Sequence, residues 1–427
     1  MGKIIKVDYL SRVEGESGLV IEIKNGKEAK LHVNIFEAPR FFESFLRGRP
    51  YSDVMDFTAR ICGICPVAYQ MSSVHAIEKI FGIEVEKPIR ELRRLLYCGE
   101  WIESHALHIY LLNGPDFYGI ESAWASKGYL PIAKKGLTFK KLGNEILTIL
   151  GGRPVHPVSV KVGGFYKIPD RKVLAALLPE LERAYEESLK EIKWAAGLKF
   201  NDNSWDTEYV SLTHQDEYPM NHGSVTSNKG LNMSMEKFLE SIQEYQVEYS
   251  TALHSGIKRD SSLSPYMVGP VSRLNLNYDR LPPEIKNVIK EAGISLPITN
   301  TQMGIIARSV EIAYAFHEAI SIIKDYEEPG VPFICFEPRA GEATWITEAP
   351  RGILIHRYEL ADGGDVKSCT IIPPTSQNFG HMERDVFHFL QDNVDKPADF
   401  IKKESEKIIR SYDPCISCSV HVVKLKE

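Results

Sequence analysis

Four of the seven cysteines stand in two pairs of identical spacing, Cys62-Gly63-Ile64-Cys65 and Cys415-Ile416-Ser417-Cys418, and the pairs lie 353 positions apart. Two thiolates three positions apart can converge on one ion, because a short loop or a single turn brings both sulfurs to the same side. A zinc ribbon keeps its two pairs about 15–20 residues apart, so this separation fits a local staple poorly. A site that uses both pairs needs the whole fold assembled first, with residue 62 meeting residue 418. Length alone, at about 150 residues per domain, favours two or three domains. The paired cysteines favour one integrated unit over residues 1–427 instead. Four thiolates suit zinc, iron–sulfur or another thiophilic metal without naming it, and spacing leaves a structural and a catalytic site equally open. The remaining Cys98, Cys335 and Cys369 stand singly in apolar surroundings and read as buried, inert thiols.

An odd cysteine count in a long chain argues against a secreted disulfide framework. The start, MGKIIKVDYL, carries no apolar signal segment, so a cytoplasmic protein is expected. Lys+Arg 51 against Asp+Glu 57 is too acidic for a dedicated nucleic-acid binder. No stretch reaches the roughly 18–20 consecutive apolar residues that a membrane helix needs.

Residues 18–35 read as a hairpin around Asn25-Gly26, the strongest two-residue turn signal. Apolar residues at helical spacing predict helices over Pro88–Leu112, 172–198 and 300–327, and further helices over 380–393 and 397–411. A second hairpin is expected at 352–372 around Asp362-Gly363-Gly364-Asp365, and loops with short strands at 200–235. The fold class is therefore mainly α with small antiparallel hairpins, that is α+β. A bundle of long helices forms the expected core, with the N- and C-terminal segments converging on a buried metal site.

The residues around the two cysteine pairs carry a family resemblance. Arg60-Ile61-Cys62-Gly63-Ile64-Cys65 and Asp413-Pro414-Cys415-Ile416-Ser417-Cys418-Ser419-Val420-His421 closely resemble the two signature motifs of the large, catalytic subunit of nickel–iron hydrogenases. Arg12-Val13-Glu14-Gly15, Pro39-Arg40-Phe41-Phe42-Glu43, Gly151-Gly152-Arg153 with His156, Gly163-Gly164 and Ala349-Pro350-Arg351-Gly352 follow the family's order. The resemblance covers essentially the whole chain and is strongest to the sulfhydrogenase alpha subunits, which exchange electrons with nicotinamide nucleotides.

The resemblance implies that Cys62 and Cys415 are terminal ligands of nickel, and that Cys65 and Cys418 bridge nickel to an iron carrying cyanide and carbonyl. The implied reaction is reversible heterolytic cleavage of dihydrogen, with the proton received by a sulfur, that of Cys415 being the candidate. Glu14 is implied as the next proton acceptor; outside its motif a lone Glu would read as a surface charge. Arg351, beside Pro350, is implied to lie over the iron side, where its fork of donors suits cyanide. Asp116 and Asp413 match carboxylates that orient such an arginine, although Asp413 also reads as a helix-end cap. Thr375 matches a hydroxyl that donates to a second cyanide, or else is an ordinary turn residue. Glu43 and His421, with a backbone carbonyl near Ile371, resemble ligands of a separate Mg2+ or Fe2+ site. Two positions depart from the family: Tyr69 and Glu16 stand where histidine is usual, which puts the tuning of the Cys65 sulfur in question.

His105 and His108 share a helix face, but no third ligand is evident and network histidines are the expected reading. His317-Glu318-Ala319-Ile320-Ser321 lacks the second histidine of a zinc-protease motif. No phosphate loop or dinucleotide fingerprint occurs, so nucleotide chemistry belongs to another subunit. With no further cysteine pairs, the chain needs a partner to carry electrons away. The resemblance implies an iron–sulfur small subunit and diaphorase subunits holding FAD, iron–sulfur clusters and NAD(P). It also implies nickel-insertion proteins and a maturation protease that removes residues 422–427. The alternative is a metal-free or zinc-bound scaffold related to the quinone-reducing module of respiratory complexes, which lacks the cysteine quartet.

Overall fold

A computed structural model describes residues 3–24 and 28–420. At its centre lies the helix Lys87–Leu107, which places Pro88 in its first turn, where a missing N–H costs nothing. Every residue from Leu92 to Ala106 is buried, so the helix is enclosed on all sides. Three of its buried polar side chains have side-chain partners on neighbouring segments. Arg93 donates twice to Glu78, at 2.7 and 2.6 Å, Lys140 bridges to Glu103, and His105 Nε2 lies 2.9 Å from Glu311.

Leu130–Gly151 packs along this helix so closely that a Cβ on Gly143 would lie 2.6 Å from the carbonyl oxygen of Gly99. Gly304–Lys324 packs on it as well, and against Leu178–Ala196. These long helices form a bundle, and three of the four are those expected from apolar periodicity. The expected helix to Leu112 changes form instead of continuing. His108–Asn113 is π-helical and leads into Gly114–Phe117. Arg12 Nη1 donates to the carbonyl of Leu112 within this widened turn.

The expected C-terminal helices are Pro374–Gln391 and Ala398–Ser411. Pro66–Phe81 was not expected as a helix. All of its residues except Lys79 are buried, and its polar residues Gln70, Ser72, Ser73, His75 and Glu78 are spread around the helix instead of forming a stripe for periodicity to detect.

The paired strands are antiparallel and lie in sheets of two or three. Ser17–Lys24 pairs with Glu28–Ile35 as expected, and Lys3–Val7 adds a third strand. The Asn25-Gly26 turn itself lies outside the described residues. Gly352–Leu360 pairs with Val366–Ile372 on one side and with Gly341–Ala349 on the other. Residues 200–235 hold the short strands Val210–Thr213, Ser224–Ser227 and Asn232–Met233 among loops.

One hydrophobic cluster runs from Ile5 to Val420 and contains all four paired cysteines. The two ends of the chain thus pack into the same interior. Among the described residues, no helix is long and apolar enough to cross a membrane.

Candidate metal centre

Cys62 lies in the turn after the helix Tyr51–Ala59, and Cys65 precedes Pro66–Phe81. Cys415 likewise precedes the short helix Ile416–Ser419, which carries Cys418. Each pair therefore sits where a loop enters a helix, the geometry that turns two sulfurs to one side. The four sulfurs lie within 4.8 Å of one another, and all four residues are buried. Cys62 Sγ and Cys415 Sγ are 3.7 Å apart, and no disulfide joins any pair.

Two contacts hold the chain ends together here. Glu14 forms a parallel bridge with Cys415, and its carbonyl accepts from Ile416 N–H at 2.9 Å. Gly15 has φ +87°, and a Cβ there would lie 2.6 Å from both Ile416 Cβ and Glu37 Oε2. Glycine is thus required at this position twice over, for its backbone angle and for space. Arg40 Nη2 donates to the carbonyls of Ile61 and Ser417 and so ties one cysteine loop to the other. Sequence reasoning placed Arg40 in a motif but assigned it no role.

The charged and polar groups around the sulfurs are specific. Cys415 Sγ donates to Glu14 Oε2 at 3.2 Å, and Ser417 N–H donates to the same oxygen at 3.0 Å. Thr375 Oγ1 accepts from Cys415 N–H at 3.1 Å. Arg351 Nε and Nη2 donate to the carbonyl and the carboxylate of Asp413, at 2.6 and 3.1 Å. Asp413 does end a helix, in the left-handed region at φ 56°, and it orients Arg351 as well.

Burial disfavours a charge on any of the four sulfurs. At Cys62 the hydrogen bonds from the other three thiols, with the charge of Arg351, outweigh burial and draw its pKa well below the usual thiol value. Burial wins at Cys65, Cys415 and Cys418, whose pKa values rise. The quartet thus gathers four sulfurs beside a cationic arginine, a donor set suited to a thiophilic metal.

The arrangement also fits a centre that carries polar ligands. Arg351 Nη1 and the Tyr69 hydroxyl are buried donors with no partner among the described residues. Tyr69 follows Cys65 by one helical turn, and burial followed by the charges of the four cysteines pushes its pKa up.

The remaining expected residues fall out differently. Asp116 does not orient Arg351. It bridges Arg12 at 2.5 Å and Arg410 at 2.8 Å, because the π-helical turn before it brings it to those two arginines. Glu43 Oε1 accepts from Ile371 N–H at 2.7 Å, which places these two expected residues side by side. Glu43, Ile371 and Cys418 line one small cavity beside the quartet. His421 lies outside the described residues.

His105 and His108 are network histidines as expected, the latter 2.7 Å from the carbonyl of Arg410. Cys98 and Cys369 are buried, and burial pushes the Cys369 thiol up to about 12. Cys335 is exposed, contrary to the expectation of a buried thiol, because it lies in the irregular segment before Gly341 rather than in a packed element.

The family description "Nickel-dependent hydrogenase" matches residues 40–129 and 261–421. Sulfhydrogenase 2 subunit alpha of Pyrococcus furiosus is 35% identical over 99% of this chain and 100% of its own length. Sulfhydrogenase 1 subunit alpha of the same organism is 33% identical over 99% of this chain and 98% of its own. Among solved structures, an NAD+-reducing nickel–iron hydrogenase in its hydrogen-reduced state superposes with a TM-score of 0.83 at 24% identity, covering 98% of this chain and 99% of that one. The Ni-Fe-Se hydrogenase from D. vulgaris Hildenborough gives 0.80 at 22% identity, covering 99% and 100%.

Proposed function

Because the chain belongs to the nickel-dependent hydrogenase family, we propose that its cysteine quartet holds a nickel–iron centre and that the residues around it handle protons for the reversible cleavage of dihydrogen. The observation that carries this reading is the convergence of four buried sulfurs from both ends of the chain to within 4.8 Å. Cys62 and Cys415 are read as terminal ligands of nickel, and Cys65 and Cys418 as ligands shared with an iron bearing cyanide and carbonyl. When bound, the centre supplies the heterolytic cleavage of dihydrogen.

The protein's own part is proton handling and ligand recognition. Cys415 Sγ, 3.2 Å from Glu14 Oε2, can pass a proton to that carboxylate, which the Ser417 N–H holds in place. Arg351 keeps positive charge beside the thiolates, with Nη1 left to donate to a cyanide and Asp413 fixing its plane. Thr375 accepts from Cys415 N–H and retains its own hydroxyl hydrogen for a second donation. Pro350 presents Arg351 by giving its carbonyl to Arg273. Asp116 is read as bracing Arg12 and Arg410 rather than as catalytic. Glu43, with His421 and the Ile371 backbone, is read as a second, harder site for Mg2+ or Fe2+.

The three other cysteines belong to no metal-ligating group among the described residues, so electrons must leave through a partner. We read that partner as an iron–sulfur small subunit followed by diaphorase subunits with FAD, and the final acceptor as NAD(P) or sulfur compounds. The names of the relatives, alpha subunits of sulfhydrogenases, support a multi-subunit assembly and sulfur compounds among the acceptors. We further read residues 1–427 as one cytoplasmic unit matured by nickel insertion and by removal of 422–427.

Infrared spectroscopy and metal analysis of the purified complex test the assignment. One nickel and one iron per chain, with iron-bound cyanide and carbonyl bands, are expected. Zinc alone, without those bands, refutes it.

A further inference from the structure

The helix Pro66–Phe81 begins directly at Cys65, which occupies the capping position. At such a position serine, threonine, aspartate or asparagine normally satisfies the amides two and three residues on, here those of Val67 and Ala68. Cys65 makes no side-chain cap. Its sulfur instead faces the other three cysteines. The two amides are nonetheless satisfied, and from elsewhere in the fold. Val67 N–H donates to Glu100 Oε2 at 2.6 Å, and Ala68 N–H donates to Glu100 Oε1 at 3.1 Å. Glu100 stands in the middle of the enclosed central helix and is fully buried.

The amides from Ile64 to Ala68 are thereby accounted for. Ile64 and Cys65 N–H donate to Cys62 Sγ at 3.4 and 3.0 Å, Pro66 has none, and Val67 and Ala68 go to Glu100. Burial pushes the Glu100 pKa up, with the nearby Cys62 and Glu103 adding to it, and the two amide donors at the positive end of the helix act against that by favouring the carboxylate.

We propose that Glu100 is a positioning residue for the metal centre: it caps the Cys65 helix from the neighbouring helix, which leaves the Cys65 sulfur free to act as a ligand and fixes the Cys62–Cys65 loop. This rests on the reading of Cys65 as a metal ligand. A serine or aspartate at position 65 would cap its own helix but would offer no sulfur. The fold separates the two duties between two residues.

The test uses Glu100→Gln and Glu100→Ala in the full complex, with Cys65→Ser alongside. Gln keeps the shape but can accept with one oxygen only, and its NH2 group meets an amide N–H. In the metal-free full-length chain, hydrogen exchange of the peptide spanning residues 62–75 is expected to run about tenfold faster in Glu100→Gln, the loss of one cap hydrogen bond. In the complex, nickel per chain falls below one, and the iron-bound carbonyl and cyanide bands shift or broaden, most in Glu100→Ala. A merely structural role would lower the melting temperature without moving those bands. Full nickel with unshifted bands in both Glu100 variants overturns the proposal while Cys65→Ser still loses its nickel. Nickel retained in Cys65→Ser overturns the ligand reading itself, and the proposal with it.

Discussion

Replacing Arg273 by methionine removes a side chain whose every donor is used in the interior. All five of its N–H groups are engaged: Nε and Nη2 donate to Glu311 at 2.7 Å each, Nη1 to Glu348 at 2.9 Å and to the Ala349 carbonyl at 2.8 Å, and Nη2 also to the Pro350 carbonyl at 2.9 Å. The guanidinium also stacks on Trp101, 4.4 Å from the ring centre. Arg273, Glu311 and Glu348 are all fully buried. Methionine refills much of the volume but takes the shared cation from two carboxylates, leaving Glu311 with Tyr218 and His105 and Glu348 with the Leu212 amide, and removes a donor from two carbonyls. Removing one partner of a buried ion pair costs about 3–5 kcal/mol, so about 4 kcal/mol is a fair central figure. With about 2.1 cal/mol/K of unfolding entropy per residue over 427 residues, that loss lowers the melting temperature by about 4–5 °C.

The loss has a pH signature. Burial alone would raise the Glu311 pKa, but Arg273 and then His105 overcome it and bring it from 4.5 to about 2. A folded pKa below the unfolded one stabilises the protein above pH 4.5, and that contribution disappears as pH falls toward 2. It amounts to about 3 kcal/mol at neutrality. Without Arg273, burial raises the pKa above the unfolded value, so the variant instead loses stability as pH rises through 4.5 and beyond. The gap between wild type and variant should therefore widen from pH 4.5 to pH 7. Thermal unfolding followed by circular dichroism at both pH values measures it. A shift under about 1 °C, or a gap that does not change with pH, refutes the network's assigned role.

Two further outcomes are expected. Glu14→Gln keeps the metals and the infrared bands but slows hydrogen–deuterium exchange by about 100-fold or more, as expected when a positioned proton acceptor is lost; an unchanged rate removes Glu14 from the relay. Arg40→Gln withdraws the donor shared by the Ile61 and Ser417 carbonyls, each worth about 1–3 kcal/mol if left unsatisfied, and nickel content should fall; full nickel occupancy would show that the two loops hold without it.

Much of the site was legible in the chain itself. The two cysteine pairs, Glu14, Arg351, Asp413 and Thr375 sit in short local motifs, and the fold brings them together around the quartet. The long helices 178–196 and 304–324 showed as apolar periodicity. Pro66–Phe81 did not, because its polar residues are spread around the helix and form no stripe, and only the packing of the fold shows where each of them goes. Asp116 was assigned to the wrong arginine for a related reason. A motif gives a residue's place along the chain, but the π-helical turn after Leu107 set which cations it meets.

What the sequence by itself determined is the chemistry on offer: four thiols in two pairs, a carboxylate and an arginine in recognisable settings, and membership of a family. The tertiary structure alone decided which ordinary charged residues matter. Glu100, Arg273 and Arg40 look like surface residues in a linear reading, since Glu and Arg are rarely buried. Each acts by reaching amides or carbonyls of a distant segment: Val67 and Ala68, Ala349 and Pro350, Ile61 and Ser417. Backbone amides and carbonyls are the same at every position and carry no sequence signal. Which of them lack a partner, and which side chain arrives to supply one, is settled only when the chain has closed on itself.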